Sequence, residues 1–458
     1  MIVMKFGGTS VADAGRILGV VEIVRRHLDR RPVVVVSALA GVTDLLVRAV
    51  DAARRGDREA LEPVLADVER RHRWALAGSI EDPTRRHDLS LEVDALFEDL
   101  RQLLRSVRIL GEGTPRSSDT LLSFGEILSS RLVASVLQDR GLPARWVDPR
   151  EVLITDATHG AAEPDLEEVA RRAEARLAPI LESAEVPVTG GFVGATRDGR
   201  TTTVGRGGSD TSAAVIGSAM GAAEIQIWTD VDGLMTADPK LVPAARTIPR
   251  VSFAEAAELA YYGAKVLHPS SIAPAVRRAI PVRVLNSLAP DGDGTLILAE
   301  GDPLALPIVS VASRGGVRSV RIASKRMRLD TGFLPAVLAE FDRAGLVPDL
   351  LVSSEVAVSV AVRSESPLDG PRRALSGIAE VDDAPGRALL SVVGSGLARE
   401  GRIRGRVLSA LAETEPEIVA LGGSGSSVTA VIREDRLAEA VRGLHRRFFE
   451  DGGEEERS

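Results

Sequence analysis

Ile2 to Phe6 is a short, mostly apolar run that ends at the turn-forming stretch Gly7 to Ser10, and from residue 11 to 30 the apolar positions Ile17, Val21, Val24 and Leu28 recur at helical spacing. Val33 to Val36 is then an unbroken apolar run. The pattern predicts strand, turn, helix and strand, a βαβ unit whose parallel strands are covered by helices. Residues 44 to 110 keep helical spacing, are rich in charge and lack any strand pattern, which predicts an insertion of two or three helices. Further strands are expected at Arg145 to Val147, Val186 to Thr189, Ile225 to Trp228 and Val282 to Val284, each beside a helical stretch. The class is α/β, with a first domain expected over 1–300.

After Pro307 the rhythm changes. Strand-like runs at 308–313, 317–323, 348–353, 356–363, 378–382, 388–393, 417–421 and 427–433 alternate with helical runs near 332, 370, 402 and 435. One ferredoxin-like βαββαβ module fits 316–384. A second, 306–315 plus 385–450, lacks its final strand unless the leading run at 308–313 supplies it, so the first module is expected to be inserted within the second. Two copies of a small module placed after the chemistry point to sensing. The acidic tail, 451–458, is expected to be disordered.

Composition narrows the function. The length of 458 residues fits about three domains, and 44% hydrophobic content supports sizeable cores. A formal charge of −8 with only 3% aromatic residues favours neither phosphate-backbone attraction nor base stacking, so no nucleic-acid partner is expected. No cysteine is present, and the six histidines show no paired ligand spacing, so no resident metal site is expected and any metal arrives with a substrate. The apolar run Val33 to Leu39 is far shorter than the roughly 20 residues that span a bilayer, and no basic-then-apolar leader opens the chain, so the expectation is a cytoplasmic protein with no membrane partner.

Only four of the 57 basic residues are lysines, and three of those lie in short motifs: Lys5 in KFGGTS, Lys240 at the end of TDVDGLMTADPK, and Lys265 in GAKVLHP. Where arginine serves as the general cation, a retained lysine marks a place that wants a compact ammonium. Gly7 and Gly8 follow a strand and precede a helix, which suits either an anion cradle of N–H groups beside Lys5 or a plain structural turn. Gly190-Gly191-Phe192, an Asp198-Gly199 hairpin turn and then TTTVGRGGSDTS follow. There Arg206 offers a fork to a carboxylate, and Ser209 or Asp210 can cap the next helix. Glu126 is the only charged residue between Thr120 and Ser130 on an apolar helix, and needs either a structural arginine or the ammonium of an amino-acid substrate. Thr229 and Asp230 sit at a strand's C-terminal end, where open α/β sheets bind ligands, although Asp-x-Asp-Gly also reads as a turn. Lys265 follows a helix and reads equally as a nucleotide contact or a solvated helix-end cation.

Together KFGGTS (5–10), VVVVSALAGVTD (33–44), SFGE (123–126), GRTTTVGRGGSD (199–210), WTDVDG (228–233), FAEAAELAYYGAKVLHP (253–269) and the doubled module resemble the aspartate kinases over nearly the whole chain. The resemblance implies an amino-acid kinase fold followed by paired ACT domains. It also implies ATP-dependent phosphorylation of the L-aspartate side-chain carboxylate, the first step toward lysine, threonine and methionine, with Mg²⁺ carried on ATP. It places Lys5, Gly8 and Asp210 in catalysis, and Ser37, Thr43, Glu126 and Arg206 around aspartate. Lys5, Gly7, Gly8, Thr9, Thr229, Asp230, Met235, Lys240, Lys265 and Val266 would serve ATP. An amino-acid effector, lysine or threonine, would meet Met327, Gly332, Phe333, Leu334, Asp349, Ser354 and Glu355, and a homodimer or higher homo-oligomer would form through the ACT modules. Two departures stand out: Met235, where many relatives carry tyrosine, and Asp330, in place of a serine of some lysine-sensing members. The alternatives are another small-molecule kinase of this fold and a catalytically silent amino-acid sensor.

Overall fold

A computed structural model of the chain describes residues 1–262, 268–299, 307–325 and 332–451. The described residues fall into two compact units, one from those of Met1–Leu234, Pro249–Phe253 and Val266–Glu300, the other from those of Met235–Ile248, Ala254–Lys265 and Gly301–Ser458.

The first half of the chain supplies β1 (Ile2–Phe6), β2 (Pro32–Val36), β3 (Ala144–Val147), β4 (Ile154–Thr155), β5 (Val186–Gly190), β6 (Val193–Thr196), β7 (Thr201–Thr203), β8 (Glu224–Thr229), β9 (Arg250–Ser252), β10 (Val282–Asn286) and β11 (Thr295–Leu298). Eight of these form one sheet in the order β3-β5-β2-β1-β8-β10-β11-β9, and β4, β6 and β7 form a small second sheet. Every residue of β1, β2 and β5 is buried. Helices cover both faces of these parallel strands, which is why they read as apolar runs rather than alternations. The register aligns Phe6 with Val36 and Trp228, Val36 with Gly190, and Thr229 with Asn286. Five parallel strands therefore end in one row, and the loops that follow them share one edge of the sheet.

The inserted segment is three helices, Val42–Arg54, Arg58–Ser79 and Pro83–Leu110, the last two started by Asp57 and Asp82 as N-caps. The first predicted helix is shorter than its pattern. Gly8–Val11 makes a single 3-10 turn, Asp13 caps the α-helix Ala14–Arg25, and a second 3-10 turn at Leu28–Arg30 leaves Leu28 36% exposed instead of on the buried face. By length and composition the helix Pro115–Asp139 could cross a bilayer, yet most of it is buried inside this unit, where Leu128, Leu132 and Val136 join the core around Phe6 and Trp228.

In the second unit, β12 (Ser310–Ser324), β13 (Leu350–Ser353), β14 (Ala357–Arg363), β15 (Ala379–Val393), β16 (Ile418–Leu421) and β17 (Ser427–Arg433) form a sheet in the order β13-β14-β12-β15-β17-β16. The runs 308–313 and 317–323, expected as separate strands, are one 15-residue strand, and so are 378–382 and 388–393. Gly316 and Gly386, both at φ 68°, bend the two strands, and the pairing shifts register near Gly316 without ending. One half of each long strand belongs to each βαββαβ module. The C-terminal half of β12 pairs with β14, and the N-terminal half of β12 pairs with the end of β15, which continues to β17.

Residues 235–248 and 254–262, which the hydrophobic pattern groups with the first domain, pack within this unit. Ala237 and Val242 enter a core with Val311, Leu390 and Val392, and Tyr262 enters another with Val317, Leu389 and Val431. The Thr429 hydroxyl donates to the Tyr262 hydroxyl at 2.8 Å.

Candidate active site

The row of strand ends brings five glycine-bearing loops to one edge. Lys5, the penultimate residue of β1, extends its ammonium to Asp210 in the first turn of the helix Gly208–Ala219, with Nζ 2.6 Å from Oδ1. Both side chains are nearly buried, at 11% and 12% exposure, so the pair is partly desolvated yet reaches the surface of the edge. Expected as a possible helix cap, Asp210 does not serve as one, and neither does Ser209. Gly207, at φ 70°, occupies the N-cap position without a side-chain hydrogen bond, which frees Asp210 to hold Lys5.

The turn after β1 differs from a simple amide cradle. The Gly7 N–H donates to the Trp228 carbonyl at 3.0 Å, continuing the ladder between β1 and β8, and is not available to an anion. Gly8 and Thr9 open a 3-10 turn of only four residues, so their N–H groups have no acceptor within it. A Cβ on Gly8 would stand 2.9 Å from the Ala38 carbonyl oxygen, so glycine is required there by close approach of two backbones. The Lys5 ammonium lies beside the Gly7 backbone, 3.6 Å from where a Cβ would be. Ser10, which no sequence signal singled out, ties this turn to the end of β10 through a 2.7 Å contact between its hydroxyl and that of Ser287.

Glu126 is 3% exposed on the helix Pro115–Asp139. One oxygen accepts the Ala38 N–H at 3.2 Å, while the other is buried with no partner. Among the described residues no arginine is bonded to it. Burial pushes its carboxyl up to about 8, against the smaller opposing effect of the Ala38 N–H. An unsatisfied buried carboxyl oxygen is costly. Gly190 makes room for it: a Cβ there would stand 3.1 Å from the Glu126 Cβ. The neighbouring Gly191 and Phe192 are equally constrained. A Cβ on Gly191 would meet the Ser209 backbone at 2.7 Å, and Phe192 is held at φ 60° with its N–H donating to the Ser212 hydroxyl.

Ser37 follows β2, its N–H bonded to the Phe6 carbonyl and its own carbonyl to the Ser129 hydroxyl, and Thr43 is half-buried in the first turn of the helix Val42–Arg54. Arg206 is exposed between Gly205 and Gly207, both at positive φ. Behind it, Asp119 is 1% exposed and bonds Thr203, Gly160 and His159 at once. Asp119 lies one residue outside the window in which Glu126 stood alone; a second acidic residue on the same apolar helix was the available signal.

Thr229 ends β8 with its hydroxyl on the Asp230 carboxylate, and Asp230 is exposed beyond it, while Asn286 of β10 donates to Asp232 at 2.7 Å. Met235 and Lys240 belong to the second unit. Met235 accepts a weak bond from the Thr247 hydroxyl, and Lys240 is exposed on a turn closed by Asp238. Lys265 and Val266 lie outside the described residues, as does Met327. Of the other effector positions, Gly332 is exposed, Phe333 is a core residue beside Val337 and Phe341, and Leu334 packs at the edge of that core. Asp349 is engaged by Arg314 at 2.7 Å, and Ser354 and Glu355 form the turn between β13 and β14.

Residues 1–286 match the amino acid kinase family. The chain is 34% identical over 466 residues to the lysine-sensitive aspartokinase 3 of Escherichia coli (strain K12), covering 98% of this chain and 99% of that protein. It is 35% identical to the chloroplastic aspartokinase 1 of Arabidopsis thaliana, over 98% of this chain and 80% of that one. Its fold matches the crystal structures of E. coli aspartokinase III with lysine and aspartate, at a TM-score of 0.85 and 33% identity, and with aspartate and ADP, at 0.81 and 32%, each over 98% of this chain and 100% of the other. With this likeness along nearly its whole length, the chain belongs to the amino acid kinase family, among its aspartokinases.

Proposed function

We propose that the chain transfers the γ-phosphoryl group of MgATP to the side-chain carboxylate of L-aspartate, giving 4-phospho-L-aspartate and ADP. The observation that carries this reading is the unpartnered buried oxygen of Glu126, a seat for the substrate ammonium, set on the same sheet edge as the Lys5–Asp210 pair. Arg206 receives the α-carboxylate, and Ser37 and Thr43 complete the aspartate site. The side-chain carboxylate of aspartate ordinarily titrates at about 3.9, so at neutral pH it is ionised and attacks phosphorus without a general base. As that O–P bond forms, the bond from phosphorus to the bridging oxygen breaks, and ADP leaves with the electron pair.

The obstacle is repulsion between two anions, so catalysis rests on fixed positive charge and donors: Lys5 and the free N–H groups of Gly8 and Thr9. Asp210 keeps the Lys5 ammonium on station. Thr229 and Asp230 face the nucleotide. Mg²⁺ arrives carried on the nucleotide's own phosphate oxygens. The modules at 316–384 and at 306–315 plus 385–450 bind an amino-acid effector, lysine or threonine, and pair edge to edge in a homodimer in the cytoplasm.

Purified protein supplied with ATP, Mg²⁺, aspartate and hydroxylamine is expected to yield β-aspartyl hydroxamate, with none formed from glutamate. Folded protein that forms none is not an aspartate kinase, and repeating the assay with lysine and with threonine identifies the effector. Gly191→Ala tests the close approach at the site. Its methyl group must push the start of the helix Gly208–Ala219, and a displacement on the order of 1 Å is expected to cut kcat/KM about 100-fold with an unchanged circular dichroism spectrum.

A further inference from the structure

Asp119 and Glu126 stand seven residues, two turns, apart on the helix Pro115–Asp139 and so share one face. Glu126 leaves an oxygen empty, whereas Asp119 is saturated. Its Oδ1 accepts the Thr203 hydroxyl at 2.6 Å and the Gly160 N–H at 3.1 Å, and its Oδ2 faces Nδ1 of His159 at 2.7 Å and the same Gly160 N–H at 3.2 Å. Bonds to a buried carboxylate from several donors are among the stronger ones in a protein. They fix two segments at once: the turn around Gly160, which itself needs φ 85°, and β7, whose Thr203 carbonyl accepts the Ala162 N–H at 2.9 Å. Two residues on, a Cβ at Gly205 would stand 3.2 Å from the Gly160 carbonyl oxygen, so the arm leading to Arg206 is pressed against the segment that Asp119 holds. Since Arg206 is exposed, the direction of its side chain is set chiefly by the backbone that delivers it.

We propose that Asp119 is a positioning residue for the acceptor site, anchoring the Thr203–Arg206 arm to the helix that carries Glu126. One rigid helix then fixes the separation between the group that takes the ammonium and the group that takes the α-carboxylate. That separation selects an α-amino acid and directs its side chain toward the phosphoryl group. The inference rests on the assignment of Arg206 to aspartate made above, and it concerns aspartate alone: neither Lys5 nor the nucleotide edge is touched by Asp119.

The test is steady-state kinetics of the full-length enzyme carrying Asp119→Asn or Thr203→Val, each alone and combined with Arg206→Ala. Thr203→Val removes one hydroxyl at constant shape and serves if the buried Asp119 variant does not fold. Either single variant is expected to raise the aspartate KM about tenfold, the equivalent of one strong hydrogen bond, with the ATP KM within about twofold of the parent. In the Arg206→Ala background neither substitution should raise it further, because the group being positioned is gone. An unchanged aspartate KM in the folded variants, a full multiplication of effects with Arg206→Ala, or a joint rise of both KM values with falling kcat would each overturn the proposal. Arg206→Ala that leaves the aspartate KM unchanged overturns the assignment of Arg206 itself, a result readable apart from the others.

Discussion

Replacing Lys5 by alanine is expected to lower kcat by about two to three orders of magnitude while the aspartate KM changes by no more than a few fold, as measured by coupled ADP release. The expectation follows from where the charge sits. The ammonium is held 2.6 Å from Asp210 at the end of β1, beside the turn whose Gly8 and Thr9 N–H groups have no acceptor within it. A group placed at the transferring phosphoryl contributes mainly when negative charge accumulates between nucleophile and leaving group, so its loss falls on kcat. Lys5→Arg is expected to recover little, since a planar guanidinium cannot occupy the compact space between Gly7 and Asp210. Asp210→Asn should give a smaller loss, because it releases Lys5 without removing it. A kcat within about threefold of the parent for Lys5→Ala would remove this residue from the mechanism.

Glu126→Gln is expected to raise the aspartate KM by about 100-fold, the scale of removing one partner from a buried charge pair. It should also abolish a pH dependence that the parent shows. In the ligand-free site, burial lifts the Glu126 carboxyl to about 8, so at neutral pH it carries a proton that the incoming ammonium must displace. Aspartate affinity of the parent should therefore rise with pH up to about 8 and then level, with a proton released on binding at pH 7, measurable by calorimetry in buffers of different ionisation enthalpy. The variant should show neither. The same shift bears on stability with a definite sign. A carboxyl raised in the folded state above its unfolded value contributes stability that is whole below the unfolded pKa and lost as pH rises through the folded one. The ligand-free parent should lose stability between about pH 4.5 and 8, and Glu126→Gln should have the higher Tm at pH 8 but not at pH 5. A binding site that destabilises its own empty form is the expected trade between stability and function.

Much of the site was legible in residue types and spacing. Lys5 stood out as a lysine among arginines, and Glu126 as one acidic residue on an apolar helix, because an isolated polar group on a buried face has to be used. The parallel strands were legible as unbroken apolar runs, since burial on both faces removes alternation. Less legible were features that depend on contact between distant segments. The Gly7 N–H reads as available along the chain, yet the Trp228 carbonyl, far away in sequence, accepts it, and Asp210 reads as a cap but holds Lys5. Residues 235–248 carry nothing in their pattern that assigns them to the second unit, where Ala237 and Val242 are buried.

By itself the amino-acid sequence determined which stretches become strands and helices, which groups carry charge, and where glycine permits close backbone approach, because these depend on local sterics and on hydrophobic periodicity along a few turns or residues. Only the tertiary structure decided which donors remain free, which carboxylate is saturated and which keeps an oxygen without a partner, because satisfaction of a polar group depends on partners brought together by folding from anywhere along the chain. Asp119 and Glu126 show the difference: two acids on one helix face, alike in sequence, made opposite in role by what packs against each.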